Sequence, residues 1–269
     1  MSKIGTNQMA VNAQKAMSQI QRKMTKTMEK LSTGLRINKP NDDPAGLSIS
    51  TKMTSQVTGF NTAAKNINDA IAMVQTVDGA LGEQITLLQR MRELAVQSST
   101  DTFSSVDRTM METEYDQLVA ELDRIADESK WNTQEIGTGT HFKIQVGADS
   151  GQIITYTEPH GSNYGLTAST ISVVNSTSAA AAITQIDTDI ATANVSRATA
   201  GAFITRFEGA LDNALEMVQN VTDTRSRILD TDYAAELAEL AKLQIMQQAT
   251  NAMMAQANAV PTSVLAMLQ

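Results

Sequence analysis

From residue 45 to residue 99 an apolar side chain recurs at every third or fourth position and no proline interrupts the run. Ile49, Met53, Val57, Phe60, Ala64, Ile67, Ile71, Val74, Val77, Leu81, Ile85, Leu88, Met91 and Ala95 carry the repeat. That spacing is one face of a helix. Gly59, Gly79 and Gly82 weaken it only locally, by about 1 kcal/mol each. A helix over 44–99 is about 84 Å long. A compact chain of this size has a radius of gyration near ~18 Å and a diameter of about 48 Å. Such a helix does not fit inside a globule, so the chain must build something elongated.

A partner of similar length exists in the second half. Ile183, Ile186, Ile190, Ile204, Phe207, Leu211, Leu215, Val218, Val221 and Ile228 continue a helical period, and 182–229 gives roughly 72 Å of helix. A shorter segment, 104–128, carries Met111, Tyr115, Leu118, Leu122 and Ile125 and can fold back on the first. The expected fold class is mainly α: an elongated antiparallel long-helix rod with coiled-coil-like packing and one small β-hairpin region. The hairpin is read from the alternating HFKIQV (141–146), the turn GADSG (147–151) and QIITYT (152–157). The expected organisation is 1–43 as an N-terminal helix and connector, 44–136 and 182–229 as the two parts of the rod, 137–181 as hairpin and variable segment, and 230–269 as a C-terminal helix.

Both ends are amphipathic. Ile20, Met24, Met28 and Leu31 lie at helical spacing near the start, and Gly34 suits the residue just past the helix end. Asp43 is a good N-cap for the next helix, with Pro44 in its first position. Asp230, Thr231 and Asp232 are cap candidates for the last helix, which carries Tyr233, Leu237, Leu240, Ala249, Met253 and Ala257. Pro261 is expected to interrupt or end it, leaving an apolar tail with Val264, Leu265 and Leu268. Helices draw most of their stability from packing an apolar face. Each end is separated from the rod by a break and has little of its own chain to pack on. Ile20, Met24, Met28, Leu31, Leu237, Leu240, Met253 and Leu265 are therefore expected to be polymerisation elements, ordered by neighbouring copies. The alternative is a terminal hairpin that closes within one chain.

Charge bears on the same point. Lys3, Lys15, Arg22, Lys23, Lys26, Lys30, Arg36 and Lys39 stand against Glu29 alone in 1–40, a balance of +7. Asp230, Asp232, Glu236 and Glu239 stand against Lys242 in 229–269, a balance of -3. Opposite ends attract, between chains or within one. The net charge of -8 disfavours nucleic acid and anionic membranes as partners. No stretch of 18 apolar residues exists to span a membrane, and the first residues lack the apolar region of a secretory signal. The chain has no cysteine, which removes disulfides and thiol chemistry. His141 and His160 stand alone, without a second ligand at metal spacing. Asp42 and Asp43 form a carboxylate pair, but Pro44 after them points to capping. No phosphate loop, nucleophile elbow or zinc motif is present. No cofactor and no enzymatic activity are expected.

The chain resembles the bacterial flagellins. LSTGLRINKPNDDPAGLSIS (31–50), LQRMRELAVQSS (88–99) and FKIQVGADSGQ (142–152) are similar to the family's N-terminal half. ITQIDTDI (183–190), RSRILDTDYAAELAEL (225–240) and QQATNAMMAQANAVPTSVLAML (247–268) are similar to the other end. The resemblance implies a secreted structural subunit of the extracellular flagellar filament that serves swimming motility. It implies terminal helices forming an inner coiled-coil core on polymerisation, with the rod around them and little room for outer domains. It also implies export through the flagellar type III apparatus, a chaperone at the C-terminal segment, and hook-associated and cap proteins as further partners. A hook–filament junction protein shares the terminal motifs and is the alternative. In part of the family, the positions matching Leu88, Gln89, Arg90, Leu94, Gln97 and Glu114 bind vertebrate Toll-like receptor five; packing between subunits is the competing use of that face. The Ser/Thr-rich 167–178 admits either O-glycosylation or plain loop composition. Pro40 and Pro44 in the connector, and Trp131-Asn132-Thr133 where many relatives have Phe-Asn-Gly, depart from the family pattern.

Overall fold

The computed structural model describes residues 7–136, 139, 141–157 and 172–266, with side chains through residue 259. Five helices carry the fold: α1 (Gln8–Thr33), α2 (Pro44–Ser99), α3 (Ser105–Glu128), α4 (Ser176–Leu229) and α5 (Tyr233–Ala266). Between α3 and α4 lie β1 (Lys130–Trp131), β2 (Gln134–Glu135), β3 (His141–Gln145) and β4 (Ile153–Thr157). The residues divide into two units, residues 1–55 with 220–269 and residues 56–219.

The second unit is a three-helix bundle carrying two hairpins. Arg92 meets Asp187 (2.6 Å) and Arg197 meets Asp78 (2.8 Å), so α2 and α4 run antiparallel here. Arg90 meets Glu114 (2.7 Å), and the Arg108 Nε donates to the Ser98 carbonyl (3.0 Å), which sets α3 antiparallel to α2. The core explains why so few aromatic residues suffice. Ile67, Val74, Val77, Leu81, Leu88, Met91 and Leu94 of α2 are buried against Ala179, Ala182, Ala193 and Ala200 of α4. Small side chains on one helix let the large ones of its neighbour fill the interior to native density. Ser104 and Asp107 form a reciprocal capping box that starts α3.

β3 and β4 pair antiparallel, with Ile144 opposite Ile154 and Phe142 opposite Tyr156. The buried Tyr156 ring stands edge-on to Phe203, with centroids 5.0 Å apart, which ties the hairpin to α4. Gly59 lets the hairpin turn lie against α2: a Cβ there would come within 2.8 Å of the Ala148 Cβ and 3.0 Å of its Cα. The smaller β1–β2 hairpin is absent from the sequence reading. Its turn residues, Asn132 and Thr133, both have positive φ (46° and 69°), as a two-residue turn of the primed type requires. Six residues offer too short a run for alternation to show.

The first unit joins both ends of the chain. Gly34 adopts φ 73° and its N–H reaches the Lys30 carbonyl (2.8 Å), closing α1. Asp43 caps α2, accepting from the Gly46 N–H (2.9 Å), and Asp232 caps α5, accepting from the Ala234 N–H (2.9 Å). The two breaks lie side by side. The Arg36 N–H donates to the Leu229 carbonyl (2.7 Å) and the Thr231 N–H to the Gly34 carbonyl (2.9 Å).

Two expectations change here. The terminal helices do have a partner in their own chain: α1 and α5 run antiparallel against each other. Asn7 meets Ala257, Gln21 meets Gln247 and Lys30 meets Glu236. The closing of a terminal hairpin within one chain is thus the arrangement seen. Pro261, expected to stop α5, lies within a helix that runs to Ala266. A proline supplies no N–H to the carbonyl four residues back, which is that of Ala257. Here the Asn7 Nδ2 donates to that carbonyl instead, at 2.7 Å. α4 begins at Ser176, so part of the Ser/Thr-rich stretch is helix, with Asn175 as its cap. Residues 167–171 of that stretch lie outside the described residues.

Candidate functional surfaces

The α1–α5 pair buries a narrow seam. Ile20, Thr27, Leu243, Thr250 and Ala257 are covered. Met24, Leu31 and Leu240 are half-buried. Met28, Leu237 and Met253 stay exposed, as do Tyr233, which the spacing argument named, and Met9, Val11, Ile245 and Met246, which it passed over. Met246 and Met253, seven residues apart, share one side of α5, a signal that was present in the sequence. Leu265 and Leu268 lie outside the described side chains. Among the expected polymerisation residues, then, the structure covers Ile20 and leaves Met28 exposed on a mostly polar α1 surface and Leu237 and Met253 exposed on α5.

The opposite charges of the two ends meet in part. Lys30 pairs with Glu236 at 2.5 Å, both largely shielded. Lys26 pairs with Asp42 at 2.6 Å and Lys39 with Glu29 at 2.7 Å. The Lys26 hydrogen bond, with N–H groups of Asn38 and Lys39, holds the Asp42 carboxyl below the usual carboxylate range. Asp42 thus fastens the connector to α1, and Asp43 caps a helix.

On the second unit, the residues singled out on α2 and α3 divide. Leu88 and Leu94 are core residues. Gln89, Arg90, Gln97 and Glu114 are exposed. The Arg90 Nε and Nη2 both donate to the Glu114 Oε1 (3.0 and 2.7 Å), while Nη1 donates to Glu93 (2.9 Å). The hydrogen bonds to Glu114 and then Glu93 push the guanidinium further toward its charged form. Leu94, at i+4 from Arg90, turns inward, so the accessible face is narrower and more polar than its spacing suggested. Behind it, burial pushes the Tyr115 phenol well up, out of the range where it ionises.

His141 bonds the Thr157 hydroxyl across β3–β4 (3.0 Å); His160 lies outside the described residues. Among the described residues no group of three His, Cys, Asp or Glu side chains is placed to hold a metal ion, and no helix is long and apolar enough to cross a membrane.

Five long helices and a small antiparallel hairpin define a mainly α class of protein, with α1 and α5 paired in one unit. The comparisons sharpen that. Residues 4–141 match the bacterial flagellin N-terminal helical region and residues 183–268 the bacterial flagellin C-terminal helical region. The chain is 40% identical to a flagellin of Halalkalibacterium halodurans over 99% of both chains. It is 35% identical to the flagellar filament 33 kDa core protein of Treponema phagedenis, again over 99% of both. The crystal structure of Bacillus cereus flagellin superposes with a TM-score of 0.51 at 31% identity, covering 56% of this chain and 88% of that one. The chain belongs to the bacterial flagellin family.

Proposed function

We propose that the chain is a structural subunit that self-assembles into the bacterial flagellar filament, outside the cell, for swimming motility. The observation that carries this is the set of large apolar side chains left exposed on the α1–α5 pair. Met28, Leu237, Ile245 and Met253 remain in water after the two helices have packed on each other. A second copy of this chain is the occupant that family membership of both ends supports. On this reading 1–43 and 230–269 form the inner core, 44–136 and 182–229 the surrounding rod, and 137–181 the hairpin and variable segment. Export through the flagellar type III apparatus, a chaperone on the C-terminal segment, and hook-associated and cap proteins belong to the same reading, and the chain's role is structural rather than catalytic. The test is seeded growth. Purified chain added to sheared filament seeds elongates them, whereas Leu237→Glu with Met253→Glu keeps its helical content and does not. Equal elongation by both would refute the reading.

The Arg90 surface is proposed as the contact for vertebrate Toll-like receptor five, through Gln89, Arg90, Gln97 and Glu114, with Leu88 and Leu94 supporting it from the core. Arg90→Asp puts a third carboxylate beside Glu93 and Glu114. In a reporter-cell assay it is expected to shift the monomer's dose response by roughly tenfold or more, the loss of one charge-assisted hydrogen-bonded pair. An unchanged response would remove the proposal.

A further inference from the structure

The chain has no cysteine and 15 methionines. The thioether is therefore its main site for mild oxidation. The methionines differ widely in exposure, and Met110 and Met217 of the second unit are open too, at 67% and 42%. Met73, Met91 and Met111 are sealed in the bundle of the second unit, 5%, 0% and 9% exposed. Met9, Met28, Met246 and Met253 stand open on α1 and α5, at 65%, 49%, 41% and 58%. These four lie on the two helices proposed above for self-assembly, Met28 and Met253 among the residues named there, and the inference rests on that reading.

We propose that Met9, Met28, Met246 and Met253 are oxidation sites, and that their sulfoxidation by a peroxide halts subunit addition. The thioether sulfur attacks the peroxide O–O bond. An S–O bond forms, the O–O bond breaks and water leaves; sulfur loses two electrons and the peroxide gains them. The product replaces a flexible apolar side chain with a strongly polar acceptor. Burying that acceptor against another apolar helix, with no donor to meet it, opposes docking. Once a subunit is covered by its neighbours the same sulfurs are shielded, so the vulnerable interval is the one before incorporation.

The full-length monomer treated with dilute hydrogen peroxide, with sulfoxides mapped by peptide mass spectrometry, tests this. The four terminal methionines are expected to oxidise ahead of Met73, Met91 and Met111. Seeded elongation is expected to fall by about fivefold or more and to return after treatment with the two methionine sulfoxide reductases. A chain with Met9→Leu, Met28→Leu, Met246→Leu and Met253→Leu, which keeps Met110 and Met217, is expected to elongate after peroxide at the same rate as it does before treatment, whatever that rate is. Oxidation of the core methionines at the same rate, or elongation by oxidised chain at the untreated rate, would overturn the inference. So would a loss that the reductases do not reverse, which is read independently of the leucine variant. Failure of untreated chain to elongate seeds would instead overturn the assembly reading, and this inference with it.

Discussion

Thr133 is the residue most at odds with its backbone. Its φ of 69° places a β-branched side chain in the left-handed region, where L-residues lose roughly 1–2 kcal/mol. Glycine carries no such penalty. Thr133→Gly is expected to raise the stability of the second unit by about 1 kcal/mol. Urea unfolding followed by the emission of Trp131, the sole tryptophan, reads this directly. Asn132 shares the turn but tolerates positive φ far better, so substitution there is expected to gain less. The Arg90 surface is also decided residue by residue. Arg90, Leu94 and Gln97 share a helical spacing, but at the edge of a buried stripe that spacing leaves Arg90 and Gln97 in water and takes Leu94 into the core. Periodicity places a residue on a face within tens of degrees, which cannot separate the rim of a stripe from its centre.

At the scale of the element, Asn7 does two jobs. Its Oδ1 accepts from the Ala10 N–H (3.1 Å), capping α1, and its Nδ2 satisfies the Ala257 carbonyl left over by Pro261. Asn7→Ala is expected to cost about 1–2 kcal/mol and to speed hydrogen exchange at both the start of α1 and the end of α5. In a Pro261→Ala background the restored N–H takes over the Ala257 carbonyl, so the same substitution costs less; a double-mutant cycle measures the difference. The connector gives a pH dependence. The folded Asp42 pKa lies below its ordinary value, so its contribution is complete above the unfolded pKa and is lost as pH falls through the folded one. The stability gap between the native chain and Asp42→Asn is expected to be constant above about pH 5 and to close below the carboxylate range. Urea unfolding across that range checks it. The long helices, their start at Asp43-Pro44, the stop at Gly34 and the β3–β4 hairpin were legible because each has a local cause written in adjacent residues. The passage of α5 through Pro261 was not, because the donor that meets the Ala257 carbonyl lies 250 residues from it, in Asn7.

For the whole molecule, the amphipathic ends showed that a partner was needed without showing which chain supplies it. The same stripe serves a helix of its own chain and one of a neighbour. The structure gives the first answer: Ile20 and Leu243 close the seam between α1 and α5, while Met28, Leu237 and Met253 stay exposed. Leu243 is 1% exposed at the centre of that seam. Leu243→Ala is expected to destabilise the first unit by about 2–5 kcal/mol, exposing the amides of α1 to exchange while those of the α2–α4 core around Leu81 and Phe207 keep their protection. Loss of protection in that core as well would show that the two units unfold as one.

The pairing of α1 with α5 also sets how much chain the first unit requires. Residue 7 finds its place only when residue 257 is present, whereas the three-helix bundle is assembled from residues 56–219. Joining ends so distant in sequence carries a larger loop-closure cost than any pairing within the bundle. The pairing of α1 with α5 therefore needs nearly the whole chain, whereas the bundle needs only its middle.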